Sequence, residues 1–430
     1  MKNPFERLKK KFNKDSLGEG SFVGRIGSFF SPEPQKEKVL RHEDFNAAGD
    51  VYYADISVAY KIVGRILWIF LVFFLVFSIT LNYREITYDN FYYLFKDFSS
   101  AVDVKSSTNE ILSYDADSRQ KFSLYKGGLV TVSPSAVSVY TPTGRRTVRD
   151  NIVFSSPYLE CSDKYALIYD ASGNSFSVYN SFAKIYTETL DYPITDACFA
   201  EDGRFAILTR DADSRAVVLI YSKNFKRLAK YSYDSYIFDV AMDSDNKRIA
   251  MLFYDQGDGI GRTGLLEKNI DDLSEIRTTY FRGEFPLAVT PIGNDRLAVV
   301  TDYAVRIFDS DGEELSRAEY FDGEVTDIYV SPGGVAVSTL RSAENRVAAV
   351  NPEGELIYNG AVPYNISEIG IDGNFIFINT GSGVARMAAD GNGKAEYISS
   401  GGGKMLIYDS ETVMVCGESK AEYLVYSDYK

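Results

Sequence analysis

The chain has 430 residues, 45% hydrophobic and 25% charged, with a formal net charge of −14, a balance that fits neither a disordered polymer nor a multi-span membrane protein. The charge is unevenly spread: residues 1–65 hold 12 basic against 9 acidic side chains, and residues 85–430 hold 33 against 51. Phosphate binding needs basic surface, so the acidic body argues against nucleic acid as a partner.

Residues 1–60 read as a basic, mostly flexible cytoplasmic tail. Within it, "NPFERLKKKFNK" places Phe5, Leu8 and Phe12 at helical spacing beside Lys9, Lys10, Lys11 and Lys14, a pattern that suits an amphipathic helix on an anionic membrane surface. A solvated tail is the simpler reading, and "GEGSFVGRIGSFFSPEPQKEK" after it has the composition of a linker.

From Ile66 to Leu81, "ILWIFLVFFLVFSITL" carries no charge. Extended to residues 61–83, with Lys61 and Arg65 able to snorkel, it reaches the roughly 20 residues a bilayer core needs. Because 60 residues precede it, it reads as an uncleaved signal anchor rather than a cleaved signal peptide. The expectation is a single-pass protein of the cell membrane, its body outside the cytoplasm. Beyond the span, Phe91, Leu94, Phe95 and Phe98 form an i, i+3, i+4, i+7 stripe, which predicts a connecting helix within residues 84–106.

Residues 107–430 repeat themselves. Apolar runs resembling "LAVVTDYAVRIFDSDGEEL" begin at Leu129, Ala166, Phe205, Ile249, Leu297, Val335, Ile376 and Val413, spaced 37, 39, 44, 48, 38, 41 and 37 residues apart. Another short apolar run precedes each, as in "ITDACFAEDGR", "IFDVAMDSDNKR" and "VTDIYVSPGG". Four strands in about 40 residues is the period of a β-propeller blade. Six Asp-Gly pairs, beginning at Asp202, Asp258, Asp311, Asp322, Asp372 and Asp390, fall where hairpins need a residue at positive φ. The last unit ends after its third strand, while "NEILSYD" at 109–115 is a spare strand. The fold class predicted is therefore all-β, an eight-bladed propeller with seven blades as the alternative, closed by that N-terminal strand. The 32 Tyr and 28 Phe are expected mainly between blades.

Catalytic motifs are few. "GDGIGRTG" holds a G-x-G-x-x-G at Gly259, Gly261 and Gly264, but no helix pattern follows to cradle a pyrophosphate, so it reads as a hairpin loop. The same stretch lacks the spaced carboxylates of a calcium loop. The one His, His42, lies in the tail, which excludes Ser-His or Cys-His machinery and His-ligated metal in the body. Cys161, Cys198 and Cys416 sit in strand-like runs as small hydrophobes, with one disulfide left open. No cofactor or metal site is expected. Asn365-Ile366-Ser367 is a formal glycosylation sequon.

The repeats resemble WD-repeat-like and quinoprotein-like propellers, although no Trp-Asp strand ending or docking Trp is present. The order of "YYADISVAYKIVGRI", the span, "ITYDNFYYLFKDF" and "YLECSDKYALIYDASGNSFSVYNSF" is similar to a family of bacterial, largely clostridial, single-pass membrane proteins of unassigned function. That resemblance implies topology and no catalytic residues.

The functional expectation is a non-catalytic scaffold or envelope assembly factor that binds an unidentified protein or envelope partner. The residues assigned to its interaction face lie between second and third strands: Asp211, Arg215, Asp255, Asp258, Arg262, Arg341, Glu344 and Arg346. The alternatives are a carbohydrate-active enzyme using paired carboxylates and a small-ligand sensor at the cell surface.

Overall fold

A strand covered on both faces has no need of alternating polarity, and the runs found in the sequence are of that kind: Gly128–Val132, Ala166–Asp170 and Phe205–Thr209 are buried at every position. In the computed structural model, which describes residues 47–81 and 112–426 except 118, 201, 244–247, 258–259, 273, 294, 321–322 and 392–394, each such run is the second strand of a four-stranded antiparallel sheet. Eight sheets form the blades of a propeller: blade 1 (121–151), blade 2 (157–189), blade 3 (196–233), blade 4 (236–281), blade 5 (286–319), blade 6 (324–361), blade 7 (368–399) and blade 8 (404–425 with Leu112–Ser113). The first strands of successive blades adjoin at all eight junctions, including that from blade 8 back to blade 1. They form the inner wall of the ring. Fourth strands such as Arg146–Asn151 and Glu314–Glu319 are largely exposed, each with one buried position, as suits the rim.

Closure follows the expected route. Leu112 pairs with Ala421 and Ser113 with Lys420, so the N-terminal segment supplies the outermost strand of blade 8. Across the same seam the Tyr408 hydroxyl donates to Gly127 O at 2.6 Å.

Turns between third and fourth strands share one design in blades 1, 3, 5 and 6. A side-chain oxygen on Thr141, Ser222, Asp309 or Asn351 accepts from the main-chain N–H four residues on. The residue three on is left-handed: Gly144 (φ 77°), Phe225 (φ 60°), Gly312 (φ 74°) and Gly354 (φ 86°). Glycine takes this conformation at little cost. Phe225 is held in it by packing against Tyr165, Tyr186 and Phe205.

In the other compact unit, Ala47–Leu81 is one helix, α1, of 35 residues, about 52 Å long at 1.5 Å per residue. It starts inside the stretch read as tail. Its segment Tyr60–Phe77 is exposed throughout and is long and apolar enough to cross a bilayer. The amphipathic tail, Asn82 and Tyr83, and the connecting stripe lie outside the described residues. All three cysteines are free, with Cys416 buried.

Candidate interaction face and channel wall

Turns between second and third strands share one face of the propeller with the links that pass from one blade to the next, because both lie where first strands begin. Asp211 and Arg215 are in the turn of blade 3; Asp211 pairs with Lys230 at 2.9 Å, and the Arg215 guanidinium lies 4.9 Å from the Tyr236 ring of blade 4. Asp255 and Arg262, expected between strands, are paired strand residues, and so are Arg341, Glu344 and Arg346 of blade 6. The second and third strands of blade 4 run ten residues each, Arg248–Gly257 and Ile260–Asn269, against five and six in blade 3. The blade 4 hairpin therefore stands out from the face. Asp258 lies outside the described residues.

In blade 6, Arg341 pairs with Glu344 around a two-residue turn whose Ser342 and Ala343 are both left-handed, at φ 49° and 67°. Arg346 and Glu344 form an ion pair at 2.6 Å. The structure thus places the blade 3 and blade 4 residues side by side, while those of blade 6 stand across blade 5.

Between them the face carries apolar side chains that periodicity did not single out. Tyr236, Tyr280, Phe285 and Tyr303 are 52%, 51%, 46% and 36% exposed, and Leu340 is 39% exposed. Phe285 stacks on Phe238 at 5.5 Å, and Tyr280 meets Phe253 edge-on at 5.6 Å. Beneath them Glu284 is buried and gathers the second, third and fourth strands of blade 5. Arg306 donates to it through Nε at 3.0 Å and Nη2 at 2.8 Å, Arg317 at 2.5 Å and Thr301 Oγ1 at 3.0 Å. Burial alone would raise the Glu284 carboxyl, but the bonds and charges of Arg306, Thr301 and Arg317 outweigh it and hold the carboxyl below the usual carboxylate range.

The channel wall holds a second group of carboxylates. Asp239 accepts from Val289 N at 2.7 Å, Asp327 from Ile369 N at 2.8 Å, and Glu368 from Met405 N at 2.6 Å. Each bond joins the first strand of one blade to the first strand of the next. At Asp239 and Asp327 the register shifts by a bulge just before the acid, and a bulge re-aims the side chain that follows it.

Asp239, Asp196 and Glu160 lie on the first strands of blades 4, 3 and 2, in turn around the wall. Asp196 and Asp239 lie close enough for the charge of one to favour the proton on the other. Burial raises both, and the Asp196 charge adds to the rise at Asp239. The Glu160 side chain is reached by water yet closely surrounded by protein; that poor solvation, with the Asp196 charge, lifts it to about 7. The Tyr169 hydroxyl donates to Asp196 Oδ1 at 3.3 Å.

A carboxyl raised on folding stabilises the protein fully below its unfolded value, 4.5 for glutamate, and loses that contribution as pH rises through its folded value. The propeller is therefore expected to resist denaturant better at about pH 5.5 than at about pH 8, and Asp239→Asn to flatten the difference. Equal denaturation midpoints for the native chain at both pH values would refute this.

A family model described as "Family of unknown function (DUF5711)" matches residues 98–424. No curated protein matches the chain. Among solved structures, the crystal structure of Saccharomyces cerevisiae Sqt1 is similar, with a TM-score of 0.53 at 8% identity, covering 75% of this chain and 99% of that one. The Pan2 WD40 domain of Neurospora crassa is similar at a TM-score of 0.42 and 9% identity, over 64% of this chain and 90% of that one. At 8% identity the likeness to Sqt1 is one of fold alone.

Proposed function

We propose that this chain, which belongs to the family of unknown function DUF5711, is a membrane-anchored scaffold that binds a protein partner on the face of blades 3 to 6. The observation that carries the reading is the set of exposed aromatic side chains, Tyr236, Tyr280, Phe285 and Tyr303, interleaved with Arg215, Arg262, Arg282 and Arg341. Aromatic residues and arginine concentrate binding energy at protein interfaces, whereas lysine and acidic residues are depleted there. A rigid ring presents such a patch with little ordering cost on association.

In this reading α1 is the anchor, the basic tail is cytoplasmic and the propeller lies outside the membrane, supported by the tail's excess of Lys and Arg. The test is crosslinking of intact cells with a membrane-impermeant reagent, followed by capture of the tagged full-length protein. A partner is expected in the capture, reduced tenfold or more by Tyr280→Ser or by Arg341→Glu, where tenfold corresponds to about 1.4 kcal/mol. Recovery unchanged by both substitutions would reject this face. Crosslinks that form only after lysis would put the propeller on the cytoplasmic side.

A further inference from the structure

Residues 85–430 hold 33 basic against 51 acidic side chains, so an arginine on this body meets a carboxylate easily. Most of its arginines do: Arg204 pairs with Asp202, Arg227 with Glu188 and Arg277 with Glu313. The aromatic face departs from that pattern. Arg210 and Arg215 flank the blade 3 turn, Arg282 lies in the link from blade 4 to blade 5, and Arg341 ends the second strand of blade 6. All four are exposed, and none has a carboxylate partner among the described residues.

Several acids around them are already answered from within. Asp211 pairs with Lys230 at 2.9 Å, and Glu344 pairs with Arg346 at 2.6 Å. Asp302 accepts from Phe285 N at 2.8 Å, and Glu284 is buried beside Arg306 and Arg317. The guanidinium groups are therefore the unanswered charges along the arc from blade 4 to blade 6. At its blade 3 end, stacking on the Tyr236 ring at 4.9 Å uses the flat face of the Arg215 guanidinium and leaves its edge N–H groups to donate.

Such a fork of donors fits a carboxylate or a phosphate, and two features choose between them. Asp213 and Asp234 are exposed at the blade 3 end, where a flat anionic surface or a uniformly charged polymer would press like charges against them. A polypeptide places its carboxylates one at a time. Phe285, Tyr303 and Leu340 lie between Arg282 and Arg341 in the chain and are exposed, and a polymer of phosphates or sulfates has nothing apolar to cover them. A peptide carrying apolar side chains beside its acids covers rings and arginines together, the pairing that concentrates binding energy at interfaces.

We infer that the partner on this face presents an acidic segment, its carboxylates answering Arg215, Arg282 and Arg341 and its apolar side chains covering Tyr280, Phe285 and Tyr303. The inference rests on the protein-binding reading of the face and names the chemistry of what binds there.

The test immobilises the full-length protein in phosphatidylcholine nanodiscs and measures binding of a short random copolymer of glutamate and tyrosine by interferometry. A Kd below about 100 μM is expected, weakened about tenfold or more when Arg282→Ser and Arg341→Ser are combined. Arg145→Ser should leave it unchanged: Arg145 is also exposed, but it lies between the third and fourth strands of blade 1, on the opposite face. Polyglutamate of the same length, which has no rings to offer, should bind about tenfold more weakly. The inference is overturned if the copolymer does not bind at about 1 mM, if polyglutamate binds equally well, or if the Arg145 variant loses as much as the double variant. Phosphatidylglycerol vesicles held more tightly than the copolymer, with the same dependence on Arg282 and Arg341, would assign the face to a membrane instead. Partner capture from intact cells that Tyr280→Ser abolishes and the double variant leaves intact would keep the protein-binding reading and remove the acidic segment.

Discussion

Glu284→Ala is expected to destabilise the propeller by about 3–5 kcal/mol, the cost of breaking a buried ion pair from one side. The carboxylate it removes answers two guanidinium groups, and the side chain of one of them, Arg306, is only 11% exposed. Arg306 also reaches Glu314 at 2.7 Å, which leaves its Nε and Nη2 protons without their acceptor when Glu284 is gone. Glu284→Gln keeps an oxygen for Thr301 and Arg306 and should cost clearly less. Equilibrium denaturation in guanidinium chloride measures both; a loss below about 1 kcal/mol for the alanine variant would show that the network contributes little. The same variant bears on function, because Arg317, which it deprives of its carboxylate, lies over the Tyr303 ring at 5.6 Å. Without Glu284, the side chains beneath the aromatic face lose their common anchor.

Glu284 and the channel wall respond to pH with opposite signs. A carboxyl held low stabilises above its unfolded value and loses that contribution as pH falls through its folded one. The Glu284 contribution is therefore intact above about pH 4.5 and is lost only below it. Burial also raises Glu267, to about 6 despite the opposing Arg248 charge, adding to the effect of Glu160, Asp196 and Asp239. Stability should accordingly be greatest on the acid side of neutrality, where the wall carboxyls hold their protons and Glu284 remains ionised.

Much of the fold was legible because a blade writes its buried strands as unbroken apolar runs. All eight runs from Leu129 to Val413 begin within second strands, and the Asp-Gly pairs at Asp202, Asp311, Asp372 and Asp390 place glycine at positive φ, whereas Gly323 is not at positive φ. The long blade 4 hairpin was foreshadowed by the 48-residue interval from Ile249 to Leu297. The wall carboxylates were written just as plainly, in Ile194-Thr195-Asp196-Ala197, Ile237-Phe238-Asp239-Val240, Val325-Thr326-Asp327-Ile328 and Ile366-Ser367-Glu368-Ile369. They went unseen because an acid inside an apolar strand reads as a solvated position until the neighbouring blade's N–H is in view. The Glu284 network had no such signal. Its members at 284, 301, 306 and 317 follow neither a period of 2 nor one of 3.6 and meet only when the blade 5 sheet forms against the link that enters it.

Tyr114→Ala is expected to cost about 3–5 kcal/mol, as for other large-to-small core changes, and its effect should concentrate at one seam. Every other blade is held by strands adjacent in sequence, but blade 8 depends on residues more than 300 positions away for its fourth strand, and that strand, Leu112–Ser113, is two residues long. Two ladder pairs are a weak latch. Tyr114 reinforces it: its hydroxyl donates to Gly417 O at 2.5 Å and Lys420 O at 3.0 Å, and its ring packs 5.4 Å from Phe122 and 6.4 Å from Tyr140 of blade 1. One side chain thus ties blade 8 to blade 1. Tyr114→Phe keeps the packing and removes only the hydrogen bonds, for about 1–2 kcal/mol. Hydrogen exchange on the alanine variant should show protection falling first at Thr412–Cys416 and Gly128–Val132 while blades 3 to 5 remain protected. Uniform loss around the ring would mean that the propeller opens as one cooperative unit and that this seam is no weaker than the other junctions.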